Sequence, residues 1–179
     1  MRLLTNLNRT LLAISIFAVS GCLFSSTEYA HLEKAEQFSR QQKIDEAIGE
    51  YIKHIDVRLN FKERPEWENP FFYYLLIGDL ELKRSNVAEA LKSYELAESK
   101  GVDKVLISDR FRFVASWYEN NGKLKEAIET LRQYRDRDPL LFDAVMDRLA
   151  KKLTALEDTG QLTPTATTTV EPTATSTPP

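Results

Sequence analysis

Few residues in this sequence could carry out chemistry. Cys22 is the sole cysteine and His31 and His54 are the only histidines in 179 residues, set against 27 Asp and Glu. A thiol or imidazole catalyst needs a base or nucleophile beside it, and a metal site needs several ligands at a matched spacing. Neither histidine belongs to an H-x-x-x-H pair or adjoins the cysteine, and no phosphate-cradling G-x-x-x-x-G-K-[ST] or G-x-G-x-x-G motif occurs. The carboxylates are interleaved with 24 Lys and Arg, the pattern of solvated helix faces. Both histidines are expected on helix surfaces or in packing. The chain is expected to bind rather than to catalyse, with no metal and no cofactor.

The lone thiol has its own context. Arg2 and Arg9 precede an uncharged, mostly apolar stretch of 11 residues, Thr10 to Ser20, and small residues then lead into "AVSGCLF" at 18–24. A membrane-spanning helix needs about 20 apolar residues, so this stretch has the length of a signal-peptide core. "VSGC", Val19 to Cys22, resembles the lipobox of bacterial lipoproteins. The resemblance implies a signal peptide over 1–21, cleavage between Gly21 and Cys22, and a covalent lipid on the Cys22 sulfur with acylation of the new amine, palmitate being typical. More than one acyl chain anchors a protein stably where a single chain does not. An ordinary secretory signal or a short uncleaved anchor is the alternative. Leu23, in place of an Asp that would resemble an inner-membrane retention signal, favours the outer membrane, facing the periplasm. In that reading Cys22 is no longer a thiol, and it positions a body that must be built by the rest of the chain.

That body runs from 28 to 157, after a lipidated linker at 22–27, and is ordinary in size for one domain. A domain of that length buries enough surface to fold without disulfides. Loss of Arg2 and Arg9 with residues 1–21 takes the formal charge from −3 to −5, which argues against nucleic acid as a partner. Apolar residues recur at three- and four-residue steps, and proline is absent between Phe71 and Asp138. The chain is expected to be all-α, with seven helices.

An internal repeat is visible. "KIDEAIGEY", "NVAEALKSY" and "KLKEAIETL" share the form apolar–x–Glu–Ala–apolar, placing Ala47, Ala90 and Ala127 at intervals of 43 and 37 residues. Twelve residues before each lies another small residue, Ala35, Gly78 and Ala115. Small side chains at both places let two antiparallel helices pack closely. These segments resemble the tetratricopeptide repeat, a helix–turn–helix unit of about 34 residues that stacks into a right-handed solenoid. The resemblance implies repeats at about 28–61, 69–102 and 105–139, with an extended turn at 60–68. Tyr134 and His54 stand where the family has a small residue, and at Tyr134 this implies looser packing onto the next helix. Asn69 with Pro70, and Asp138 with Pro139, read as helix starts. Over 140–157, Phe142, Val145, Leu149, Leu153 and Leu156 form one apolar face of a helix expected to cap the solenoid.

The family's groove lies on the first helix of each repeat, and its pattern carries over to three sets of residues. They are Tyr29, Leu32, Glu36 and Arg40; Phe72, Leu75, Asp79 and Lys83; and Asp109, Arg112, Ser116, Glu119 and Asn120. Such grooves hold a protein or peptide segment. Glu36 and Asp79 replace the asparagines of the carboxylate-clamping version, so the groove is expected to be apolar and of mixed charge. Trp67, in the polar insert, is expected to be exposed. The remaining residues, 158–179, are mostly Thr, Pro, Ala and Ser and cannot bury enough surface to order. They read either as an inert tail or as an O-glycosylated or wall-threading segment.

Two functions follow as expectations. One is a membrane-anchored scaffold or adaptor of the bacterial cell envelope that holds a protein or peptide in its groove, as small repeat lipoproteins such as pilus-assembly pilotins, outer-membrane assembly factors and adaptors of peptidoglycan enzymes do. The other is a structural tether between membrane and wall, packed on itself or as a homo-oligomer.

Overall fold

The computed structural model describes residues 29–160, and all of their regular structure is helical. Gly21, Cys22 and the apolar stretch before them lie outside the described residues, as does nearly all of the Thr/Pro segment. Seven α-helices occur among the described residues: α1 Ala30–Arg40, α2 Ile44–Asn60, α3 Tyr73–Lys83, α4 Val87–Ser99, α5 Lys104–Asn120, α6 Leu124–Gln133 and α7 Pro139–Asp158. Short 3₁₀ turns at Pro70–Phe72 and Arg135–Arg137 precede α3 and α7.

Three helical hairpins are built with one turn. Residues 41–43, 84–86 and 121–123 join α1 to α2, α3 to α4 and α5 to α6. The central residue of each is left-handed: Gln42 at φ 60°, Ser85 at φ 69° and Gly122 at φ 73°. Each turn closes with a backbone bond from the following amide to a carbonyl in the last helical turn. These are Lys43 to Phe38 at 2.9 Å, Asn86 to Glu81 at 2.8 Å and Lys123 to Tyr118 at 2.9 Å. This is the left-handed helix stop that satisfies the last carbonyls and reverses the chain within three residues. Glycine makes it without strain, so Gln42 and Ser85 adopt it at a cost. Each hairpin packs within itself, α2 on α3 and α4 on α5 join neighbouring hairpins, and α3 also touches α5.

Small residues set how close the rods come. Ala35, Ala47, Ala90, Ala115 and Ala127 are buried, and so is Gly78. At Gly78 the requirement is steric, because a Cβ there would lie 2.3 Å from Cε1 of Tyr94. The Tyr94 ring fills that space and meets Phe111 edge-on at 6.3 Å.

Two apolar clusters result. One lies between α1, α2 and α3 around Ala35, Tyr51, Ile55, Ile77 and Leu80. The other, around Leu75, Tyr94, Phe111, Leu131, Phe142 and Leu149, spans α3 to α7. Phe71 and Tyr74 pack against both. Phe142 and Leu149 of α7 are fully buried, with Val145, Leu153 and Leu156 packed on the same cluster, so the last helix covers the flank of the third hairpin.

Two details differ from the expectations. Tyr134 leaves no looseness: it stacks on Phe111 with ring centroids 3.6 Å apart, and its hydroxyl donates to Glu95 at 2.6 Å. His54, expected on a helix surface or in packing, is a fully buried packing residue. Asn69 does cap a helical turn, accepting from the Phe71 amide at 3.0 Å, but Pro70 opens the 3₁₀ turn, and α3 itself begins at Tyr73.

Candidate functional site

α5 carries two stripes. Ile107, Phe111, Val114 and Ala115 are buried in the core. Leu106, Arg110, Phe113 and Trp117 follow one another at four-, three- and four-residue steps, which places them along one other face of the helix. The middle and end of that stripe meet α3. Asp79, Leu82 and Lys83 of α3 line a hollow of about 390 Å³ with Phe113 and Trp117. Phe113 is exposed and lies between two guanidinium groups, Arg110 at 5.5 Å and Arg112 at 5.0 Å from the ring centroid. Lys123 approaches the Trp117 ring at 6.0 Å. Aromatic faces under cations form an amphipathic surface that suits a polypeptide segment with apolar and acidic side chains.

Asp79 sits at the centre of this face. Its Oδ1 accepts from the Tyr94 hydroxyl at 2.9 Å and pairs with Arg110 Nε at 2.9 Å. Burial raises its pKa above the ordinary carboxylate value, and the Arg110 charge and the Tyr94 bond work against that rise. The same burial raises the Tyr94 phenol, with Asp79 adding to it. The trio is a structural link through which α5 and α4 hold α3.

The remaining groove residues divide. Leu75 is not in the groove: it is fully buried in the larger cluster, because α3 is packed by hairpins on both sides and has no free face at that position. Tyr29 precedes α1 and packs against His54 and Arg58 at the end of the molecule, at 5.9 Å and 5.1 Å between the groups, away from the hollow. Leu32 packs on the smaller cluster, and Glu36 pairs with Arg40 at 3.6 Å on exposed helix surface. Phe72, in the 3₁₀ turn, meets Tyr73 edge-on at 5.8 Å. Asp109 accepts from Arg112 Nη2 at 3.0 Å, Ser116 is half-buried and Asn120 is exposed. Glu119 is engaged by α7, accepting from Arg148 at 2.7 and 2.8 Å and from Lys152 at 3.0 Å. Arg148 foremost, with Lys152, pulls its pKa down to about 2. Of the assigned groove residues, the structure therefore gathers Asp79 and Lys83 into the hollow; Leu82, Phe113 and Trp117 line it too, with Arg110 beside it on Asp79, and the family pattern did not select these. Their own four- and three-residue spacing was the available signal.

A second hollow, of about 480 Å³, lies at the far end of the same α5 stripe, lined by Trp67, Asn69, Phe72, Tyr73, Val102 and Leu106 among others. Behind it is an unusually polar interior. Arg58, 1% exposed, donates from Nε to Glu68 at 2.6 Å and lies over the rings of Tyr29 and Phe61. His54 rests edge-on against Tyr73 at 4.6 Å, and neither of its ring nitrogens has a hydrogen-bond partner among the described residues. Burial lowers its pKa, so it is held neutral. His31 instead bonds Glu50 through Nδ1 at 2.5 Å.

Among the described residues, no group of three or more His, Cys, Asp or Glu is placed to hold a metal ion, and no helix is long and apolar enough to cross a membrane. Against known proteins, the chain matches no protein-family model and no curated protein.

Proposed function

We propose that the protein is a non-enzymatic scaffold, lipid-anchored through Cys22 in the bacterial cell envelope, whose helical hairpins stack as a tetratricopeptide-like solenoid of three repeats with α7 as its cap. The observation that carries the reading is the threefold recurrence of one turn, at Gln42, Ser85 and Gly122, in register with the paired small residues. Repeated hairpins of this kind bury one side of each helix pair against the next and leave the first helices lining a surface for a partner. Here that surface is the aromatic and cationic strip of α5 beside α3, with Asp79, Lys83, Phe113 and Trp117 at its centre. Its partner is a protein or peptide segment of the envelope, held near the outer membrane on its periplasmic side.

The test is photocrosslinking in the native envelope. A crosslinking residue at Phe113 should capture a discrete partner, whereas the same group at exposed Ile52 on α2 should not. Phe113→Asp should abolish capture from a neighbouring position while the helical circular dichroism and melting temperature stay unchanged. Equal capture from both positions, or full capture in Phe113→Asp, would remove the strip from the function. The tether reading would gain if deletion of 161–179, with Phe113 intact, abolished the cellular effect.

A further inference from the structure

One end of the molecule carries most of its exposed large apolar side chains. The hairpins bring the starts of α1, α3, α5 and α7 to that end, together with the finishes of α2, α4 and α6. Cross-links confirm the grouping: Asn69 Nδ2 donates to the Lys100 carbonyl at 3.0 Å, Arg137 bonds Glu98 at 3.0 and 3.1 Å, and Arg58 joins Tyr29 to Glu68. On this end stand Tyr29 at 41% exposure, Trp67 at 84%, Phe72 at 37%, Val105 at 70%, Leu106 at 36% and Leu140 at 88%. None of the described residues covers Trp67, and water is a poor environment for an indole ring that exposed.

The position of the anchor says what covers it. Tyr29 lies only seven positions after Cys22, a span of about 25 Å at full extension. A lipid on Cys22 would hold the start of α1, and hence this end, against the bilayer surface. Tryptophan and tyrosine favour the headgroup region, where the ring is shielded and the polar edge stays wet. Lys100 and Lys104 can extend their heads toward water from the same rim. Asp103 and Glu66 lie there too, so charge of both signs surrounds the apolar tips and the attraction is not electrostatic.

We infer that this end is a membrane-docking face, with Trp67 entering the interface and the α3–α5 strip rising away from it. The inference rests on the proposed anchor at Cys22. It is tested with the full acylated chain in phosphatidylcholine vesicles whose acyl chains carry bromine. In Trp117→Phe, where only Trp67 remains, the emission should shift to the blue and be largely quenched. In Trp67→Phe, the remaining Trp117 should keep its emission. Added anionic lipid should change neither result. If Trp67 keeps its emission in vesicles with which the protein floats, or if both tryptophans are quenched alike, the docking face is wrong. A shift of Trp67 that follows protein concentration instead of bromination would assign the face to a second copy and likewise overturn it. The anchor is judged separately by the intact mass. If Cys22 proves unacylated, its thiol can be coupled to a maleimide lipid, and the same quenching then decides the docking face alone.

Discussion

Glu119 shows what single side chains do in this structure. Three bonds from Arg148 and Lys152 hold its carboxylate and draw its pKa down to about 2, so α7 is fastened to α5 by charge as well as by apolar packing. A carboxyl with a depressed folded pKa stabilises the fold above its ordinary value of 4.5, and that contribution fades as the pH falls toward 2. Arg148 and Lys152 are about half exposed, so solvent screening reduces the effect to about 1 kcal/mol. Glu119→Gln should lower stability by about that amount at neutral pH, and its denaturation curve should converge with that of the parent chain near pH 2. A constant difference across the pH range would show that the carboxylate charge is not what matters. The residue scale is also where the sequence was hardest to read. Leu75 looks free on a helix considered alone, and only the second neighbour of α3 buries it. Phe113 and Trp117 resemble core residues in type, and only the competing stripe of Phe111, Val114 and Ala115 turns them outward.

At the scale of elements, the hairpin turns carry a cost that can be measured. Gln42 and Ser85 hold the left-handed conformation that Gly122 adopts freely. That conformation costs an L-residue about 1–2 kcal/mol, partly offset by the extra unfolded freedom that glycine would bring. Gln42→Gly and Ser85→Gly should each therefore stabilise the protein by about 0.5–1 kcal/mol, and Gly122→Ala should destabilise it by about 1 kcal/mol, as read by urea unfolding. An unchanged midpoint in both glycine variants would mean that the turns are not left-handed in solution. The elements were the most legible level. The small-residue pairs forecast the hairpins because close helix contact excludes larger side chains, and Gly78 makes that exclusion explicit against Tyr94. What stayed hidden was how the two large residues at small-residue places would fit. Tyr134 is accommodated by stacking flat on Phe111, a partner from another helix that no local pattern reveals.

Over the whole molecule, phenols that are buried, or half-buried at Tyr73, spread across both clusters. Burial is the leading cause that raises the pKa of Tyr51, Tyr73, Tyr94 and Tyr134 above the ordinary value of 10. A raised folded pKa contributes stability that is complete below pH 10 and is lost as the pH climbs through the folded values. In an alkaline titration these four should therefore ionise together with the loss of helical circular dichroism, as one cooperative rise in phenolate absorbance. Gradual ionisation of all seven tyrosines near pH 10, with helicity intact, would contradict the buried placement. The chain also has an asymmetry between its two ends. Whereas α7 seals its flank with Phe142 and Leu149, α1 buries only Ala35 fully and rests mainly on α2. Any tension transmitted through the segment ahead of α1 would peel that helix from its neighbour one turn at a time, each contact yielding in sequence instead of all together in shear. The first hairpin would then act as a mechanical fuse, giving way under load while the block from α3 to α7 keeps its shape.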